Sequence, residues 1–119
     1  MMIKIEAIVR SEKMEAVKNA LDNLQVNGVT VTNVMGYGAQ RGAKADDVYT
    51  RSAESFIKPK VKFEVIVSSE EWEKMTIDAI RKAAYTGEYG DGKIFSYEIR
   101  TATKIRTNET GYDAIQNQE

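Results

Sequence analysis

The sequence predicts an α+β fold: a strand-helix-strand unit used twice, giving a split β-α-β (βαββαβ) antiparallel sheet with both helices on one face. Three observations carry this. Four segments, beginning near Ile3, Val29, Val61 and Lys93, show two-residue alternation or β-branched enrichment. Two intervening segments repeat apolar residues at spacings of three and four. The chain has 119 residues, which suits one domain spanning 1–119.

Taken in order, Ile3, Ile5, Ala7 and Val9 alternate with Lys4, Glu6, Ile8 and Arg10, a strand with one buried face. Ser11 is placed to cap the next helix, with Glu12 in its first turn. Met14, Val17, Leu21 and Leu24 form that helix's apolar stripe. Asn27 and Gly28 turn the chain into a second strand over 29–35. Lys60 opens a third, in which Val61, Phe63, Val65 and Val67 alternate with Lys62, Glu64 and Ile66. Ser68 and Glu71 have capping-box spacing, and Trp72, Ile77, Ile80 and Ala84 mark the inner stripe of the second helix. A fourth strand covers 93–100, with Phe95, Tyr97 and Ile99 on one side. Residues 103–107 read as a short extended piece that sets Lys104 and Arg106 on one face. The tail is polar, with Tyr112, Ala114 and Ile115 as anchors. The sheet face away from the helices is expected to carry Ile8, Ile66 and Ile94 among Lys4, Glu6, Lys62, Glu64 and Glu98. That mixture suits a face shared within a small symmetric oligomer.

Composition narrows the chemistry. Charged residues make up 29% of the chain but the net charge is only -1, which provides no basic field for nucleic acid or an anionic membrane. No apolar run is long enough to span a bilayer, and the N-terminus does not read as a signal peptide. With 0 His and no Cys, the usual general base, the thiol nucleophile and the common zinc ligands are missing. This fits a cytoplasmic protein and argues against an enzyme.

Six of the 8 glycines fall in two loops, at 36, 38 and 42 and at 87, 90 and 92. Gly87 to Lys93 fits seven places of G-x-x-x-x-G-K, but Ile94 replaces the magnesium-binding hydroxyl and the flanking elements are reversed. Taken alone, the loop is equally a glycine-rich turn. Glycine backbone can bring N–H groups against an anion. The ends of the second strand and second helix lie toward one side, so the two loops can be neighbours. With Lys60, Lys93, Lys104 and Arg106 they suit a small polyanion such as a nucleoside polyphosphate. Between Arg41 and Lys58 neither periodicity holds, and a loop of that length is usually functional or disordered. Tyr49 and Phe56 are its aromatics, placed to anchor on a partner or fold back.

Gly36-Tyr37-Gly38-Ala39-Gln40-Arg41-Gly42, Thr86-Gly87-x-x-Gly90-Asp91-Gly92-Lys93-Ile94-Phe95 and Ile105-Arg106-Thr107 resemble the signature segments of the PII signal-transduction proteins, over residues 5–115. The resemblance implies a ferredoxin-like subunit in a homotrimer with its sheets facing inward. It implies ATP or ADP in the clefts between subunits, and regulation of a partner enzyme or transporter in nitrogen metabolism through a projecting T-loop at 37–59. Gly87, Gly90, Asp91, Gly92 and Lys93, in a B-loop at 86–93, would form the phosphate site, with Gly38 and Gln40 alongside. Lys104 and Arg106 would enter from a C-terminal loop region at 102–115, and Gly28 and Thr30 would approach the adenine. In members that sense 2-oxoglutarate, magnesium bridges ATP, the keto acid and the glutamine matching Gln40, and the lysine matching Lys60 meets the far carboxylate. Arg41, Tyr49, Arg51 and Phe56 would belong to the partner-binding loop.

Three positions depart from the family pattern. Lys104 replaces a usual arginine, Glu88 a common lysine, and the family's modified tyrosine aligns near Ser55. The first two imply weaker or differently selective polyphosphate binding, and the third argues against the usual uridylylation. The alternatives are a slow nucleotide phosphohydrolase, an energy sensor without a 2-oxoglutarate response, and a small trimeric metal-binding protein of similar architecture.

Overall fold

The computed structural model describes residues 1–26, 28–37 and 57–116. Strand β1 (Ile3–Arg10) leads through a 3-10 turn (Ser11–Lys13) into helix α1 (Met14–Leu24). Strands β2 (Val29–Gly36) and β3 (Lys58–Val67) follow, then helix α2 (Glu70–Ala84), strand β4 (Gly92–Glu98) and a short helix α3 (Tyr112–Gln116). The four strands form one antiparallel sheet in the order β2-β3-β1-β4. This is the split β-α-β arrangement that the alternation predicts.

The core follows from that alternation. Ile3, Ile5, Ala7 and Val9 of β1 and Val61, Phe63, Val65 and Val67 of β3 are buried on one face. Val17 and Leu21 of α1 and Ile80 and Ala84 of α2 close over them. The two central strands thus bury every second side chain, and apolar burial of this kind is the main stabilising term.

Helix starts differ from the sequence expectation. Ser11 lies in the 3-10 turn, and α1 begins only at Met14 with no side-chain cap bond. The cap of α2 is Ser69 rather than Ser68: its hydroxyl accepts from the Trp72 amide at 3.1 Å. One residue of displacement puts Glu71 outside capping-box spacing and leaves Glu70, Glu71 and Glu73 in the first turn, where they favour the helix dipole.

The open face also needs correction. Ala7 pairs with Ile94 and Ile3 with Glu98, so both β4 residues share the helix side with those buried β1 residues. Ile94 packs against the core. Lys93, Phe95 and Tyr97 occupy the open face instead, opposite Ile8, Glu6 and Lys4. The like-charge pair Glu6 and Glu64 is relieved on this face. Lys4 reaches Glu64 at 2.6 Å, and the Tyr97 hydroxyl donates to Glu6 at 3.2 Å. The Lys4 bond holds the Glu64 carboxyl below its ordinary range and raises the lysine.

Candidate functional site

The glycine loop between α2 and β4 is built around Asp91. Its carboxylate accepts from the Thr86 amide at 2.8 Å, the Gly87 amide at 2.9 Å and the Thr86 hydroxyl. The six residues 86–91 are thereby closed into a ring. The Thr86 hydroxyl also accepts from the Glu88 amide at 3.1 Å. These donors, together with Arg10, hold the Asp91 carboxyl well below the usual carboxylate range, the Thr86 bonds most of all. Gly87, Gly90 and Gly92 have φ values of 87°, 102° and 101°, which side chains rarely adopt.

From the sheet side the loop is held by two cations that face each other across the β1–β3 register, Arg10 and Lys60. Arg10 donates to Asp91 Oδ1 at 3.0 Å and to the Tyr89 carbonyl at 2.6 Å. Lys60 donates to the Gly90 carbonyl at 2.7 Å. Burial, then the neighbouring Arg10 and Lys58 charges, lowers the Lys60 pKa. The stem of Lys60 also lies against Gly36, where an added Cβ would sit 3.2 Å from its Cγ. The end of β2 and the α2–β4 loop are therefore neighbours, as the glycine distribution suggests. The Tyr89, Gly90 and Asp91 amides have no partner among the described residues. Lys93 stands at the loop's exit, on the open face. A cleft of about 490 Å³ between α2 and the start of β4 is lined by Ile77, Arg81, Tyr85, Gly87, Asp91 and Lys93.

The other predicted residues lie elsewhere. Gly28 precedes and Thr30 lies in the start of β2, the opposite edge strand from β4. Lys104 and Arg106 follow β4 at the sheet end where Ile99 donates to the Met2 carbonyl, the end away from Arg10 and the loop. They do not share an extended face. Thr103 makes an isolated bridge to Thr110, residues 105–107 form a turn, and Arg106 is exposed. Lys104 is buried, with its ammonium 3.4 Å from Glu109. The predicted residues thus fall into two groups, the glycine loop with Lys60 and Lys93 at one end of the sheet and Gly28, Thr30, Lys104 and Arg106 at the other. Gly38, Gln40, Arg41, Tyr49, Arg51, Ser55 and Phe56 lie outside the described residues.

Among the described residues that hold the loop, Arg10 was given no role by the sequence reading. Its only signal was its place at the end of β1, in phase with Lys4, Glu6 and Ile8. Among the described residues, no group of three or more His, Cys, Asp or Glu could hold a metal ion. No helix there is long and apolar enough to cross a membrane.

Comparison with known proteins agrees with this architecture. The family model described as Nitrogen regulatory protein P-II matches residues 2–109. A Nitrogen regulatory protein P-II of Bradyrhizobium diazoefficiens is 47% identical over 116 residues, covering 96% of this chain and 100% of that protein. Nitrogen regulatory protein P-II 1 of Methanothermobacter thermautotrophicus is 43% identical, covering 96% and 97%. The crystal structure of Arabidopsis thaliana PII bound to citrate superposes with a TM-score of 0.75 at 35% identity, covering 95% of this chain and 91% of that one.

Proposed function

The chain belongs to the nitrogen regulatory protein P-II family, and from that premise we propose that it is an ATP- or ADP-responsive regulator assembled as a homotrimer. The observation that carries this is the division of the site. A nucleotide's phosphates fit the loop of residues 86–93, with Lys93 and the Tyr89, Gly90 and Asp91 amides that have no partner among the described residues. The groups suited to the base and the remaining phosphate charge, Gly28, Thr30, Lys104 and Arg106, lie at the far end of the same sheet. A single copy cannot bring the two halves together, because β4 alone spans on the order of 20 Å. A neighbouring copy supplies the second half, so the nucleotide lies in a cleft between subunits.

The open face supports the same assembly. Phe95, Tyr97, Ile8 and Ile66 stand there among paired charges, apolar enough to be stabilised by burial against a second sheet.

By the family pattern Lys60 would meet a 2-oxoglutarate carboxylate, in exchange for its present bond to the Gly90 carbonyl, and Gln40 would be the metal-side partner. The Arabidopsis relative is seen with citrate, a polycarboxylate, and this supports a carboxylate response. A magnesium ion would be held by the polyphosphate oxygens and Gln40, since the described residues form no carboxylate cluster. The loop of residues 37–59 then carries the response to a target enzyme or transporter. Asp91 is engaged by Thr86, Gly87 and Arg10, which argues against its acting as a general base for phosphohydrolysis.

Isothermal calorimetry with magnesium-ATP and with ADP tests the reading. Both are expected to bind, and Lys93→Ala to weaken binding by roughly tenfold or more. Absence of nucleotide binding to the wild-type chain would defeat it. Capture from native extract in the presence of ATP and then of ADP identifies the target.

A further inference from the structure

We propose that Arg10 is a positioning residue for the phosphate loop, acting through Asp91 rather than by touching the nucleotide. This rests on the nucleotide-binding reading above.

Three consecutive loop residues report on this one side chain. Its Nε donates to Asp91 and a terminal nitrogen to the Tyr89 carbonyl. Between them, Gly90 leaves the space the guanidinium occupies, since a Cβ there would lie 3.2 Å from an Arg10 terminal nitrogen. Gly90 is favoured by its φ of 102°, and a side chain there would also press on the Arg10 guanidinium. The planar fork makes both donor contacts in a fixed geometry, which a lysine cannot reproduce.

The arrangement forms a relay. Arg10 fixes Asp91, and Asp91 fixes the Thr86 and Gly87 amides at the opposite end of the loop. Lys60, beside Arg10 in the register, holds the Gly90 carbonyl. The acceptors of Tyr89, Gly90 and Asp91 are thereby drawn to the sheet, while the amides of the same residues keep no partner among the described residues. A loop already held in this form loses less conformational freedom when an anion binds.

The test is a double-mutant cycle on the full chain with Arg10→Gln and Asp91→Asn, read by magnesium-ATP calorimetry and by amide hydrogen exchange without nucleotide. Arg10→Gln is expected to weaken magnesium-ATP about tenfold and to speed exchange at Thr86 and Gly87. Arg10→Lys should recover part of both. The double variant should bind no more weakly than Asp91→Asn alone. Wild-type affinity in Arg10→Gln, or losses that multiply in the double variant, would overturn the proposal. If the wild-type chain binds no nucleotide, the functional reading fails, and the exchange data alone decide whether Arg10 positions the loop. Unfolding curves for each variant separate loss of the loop from loss of the fold.

Discussion

Gly92 lies so close to Ile8 that a Cβ at position 92 would stand 1.8 Å from the Ile8 carbonyl oxygen. That oxygen belongs to the central strand β1, so it cannot retreat without breaking the sheet. The φ of 101° adds its own strain for any side chain. Gly92→Ala is therefore expected to cost on the order of 3 kcal/mol. Gly111→Ala also meets a positive φ, but nothing lies within 4 Å of its Cβ, and it should cost about 1 kcal/mol. Urea denaturation of the two variants checks the order; equal losses would mean that contact with Ile8 is unimportant.

Asp91 should stay charged well into acid. Its folded-state value is depressed by the Thr86, Arg10 and Gly87 donors, so its contribution is fully present above about pH 4, the ordinary carboxylate range. The contribution is lost only as pH falls through the lowered value. A carboxyl-detected NMR titration should find Asp91 still ionised where exposed carboxylates have protonated. A midpoint in the ordinary range would mean that the loop is not closed as described.

Lys104 and Glu109 make opposite demands on substitution. The Lys104 side chain is only 4% exposed, whereas Glu109 is 39% exposed. Glu109→Ala leaves a buried ammonium without that carboxylate, while Lys104→Met keeps the packing and leaves the carboxylate near water. Glu109→Ala should lower the melting temperature by more than Lys104→Met. The reverse order would show that Lys104 packing, not its charge pairing, holds the C-terminal turn.

Phe95 and Tyr97 stand 49% and 46% exposed on the open face of a single chain. If three such faces meet, Phe95→Asp places a charge at the seam and should shift the assembly toward monomer. Sedimentation velocity on the wild type and the variant reads this directly. A monomeric wild type would remove the argument for the divided site.

Much of this was legible in the chain. The alternation in β1 and β3 specified which side chains are buried, because those central strands bury one face completely. β4 was less legible. Its residues are partly exposed on both faces, so periodicity could not say whether Ile94 or Phe95 turns inward; pairing with β1 decided it. The start of α2 was missed by one residue because Ser68 and Ser69 compete there and only backbone geometry selects Ser69; Ser11 does not cap α1 because a 3-10 turn comes between them.

By itself, the sequence determined the strand-helix-strand plan, the two glycine loops and the cations beside them. These are local properties, set by side-chain period and by backbone freedom. The tertiary structure decided which groups meet. It placed Arg10 under Gly90, turned Asp91 inward onto Thr86 and Gly87, buried Lys104 beside Glu109, and set Gly28, Thr30, Lys104 and Arg106 at the opposite end of the sheet from the glycine loop. Those outcomes depend on strand register and on contacts between residues far apart in the chain, such as Arg10 and Asp91, and no local pattern encodes them.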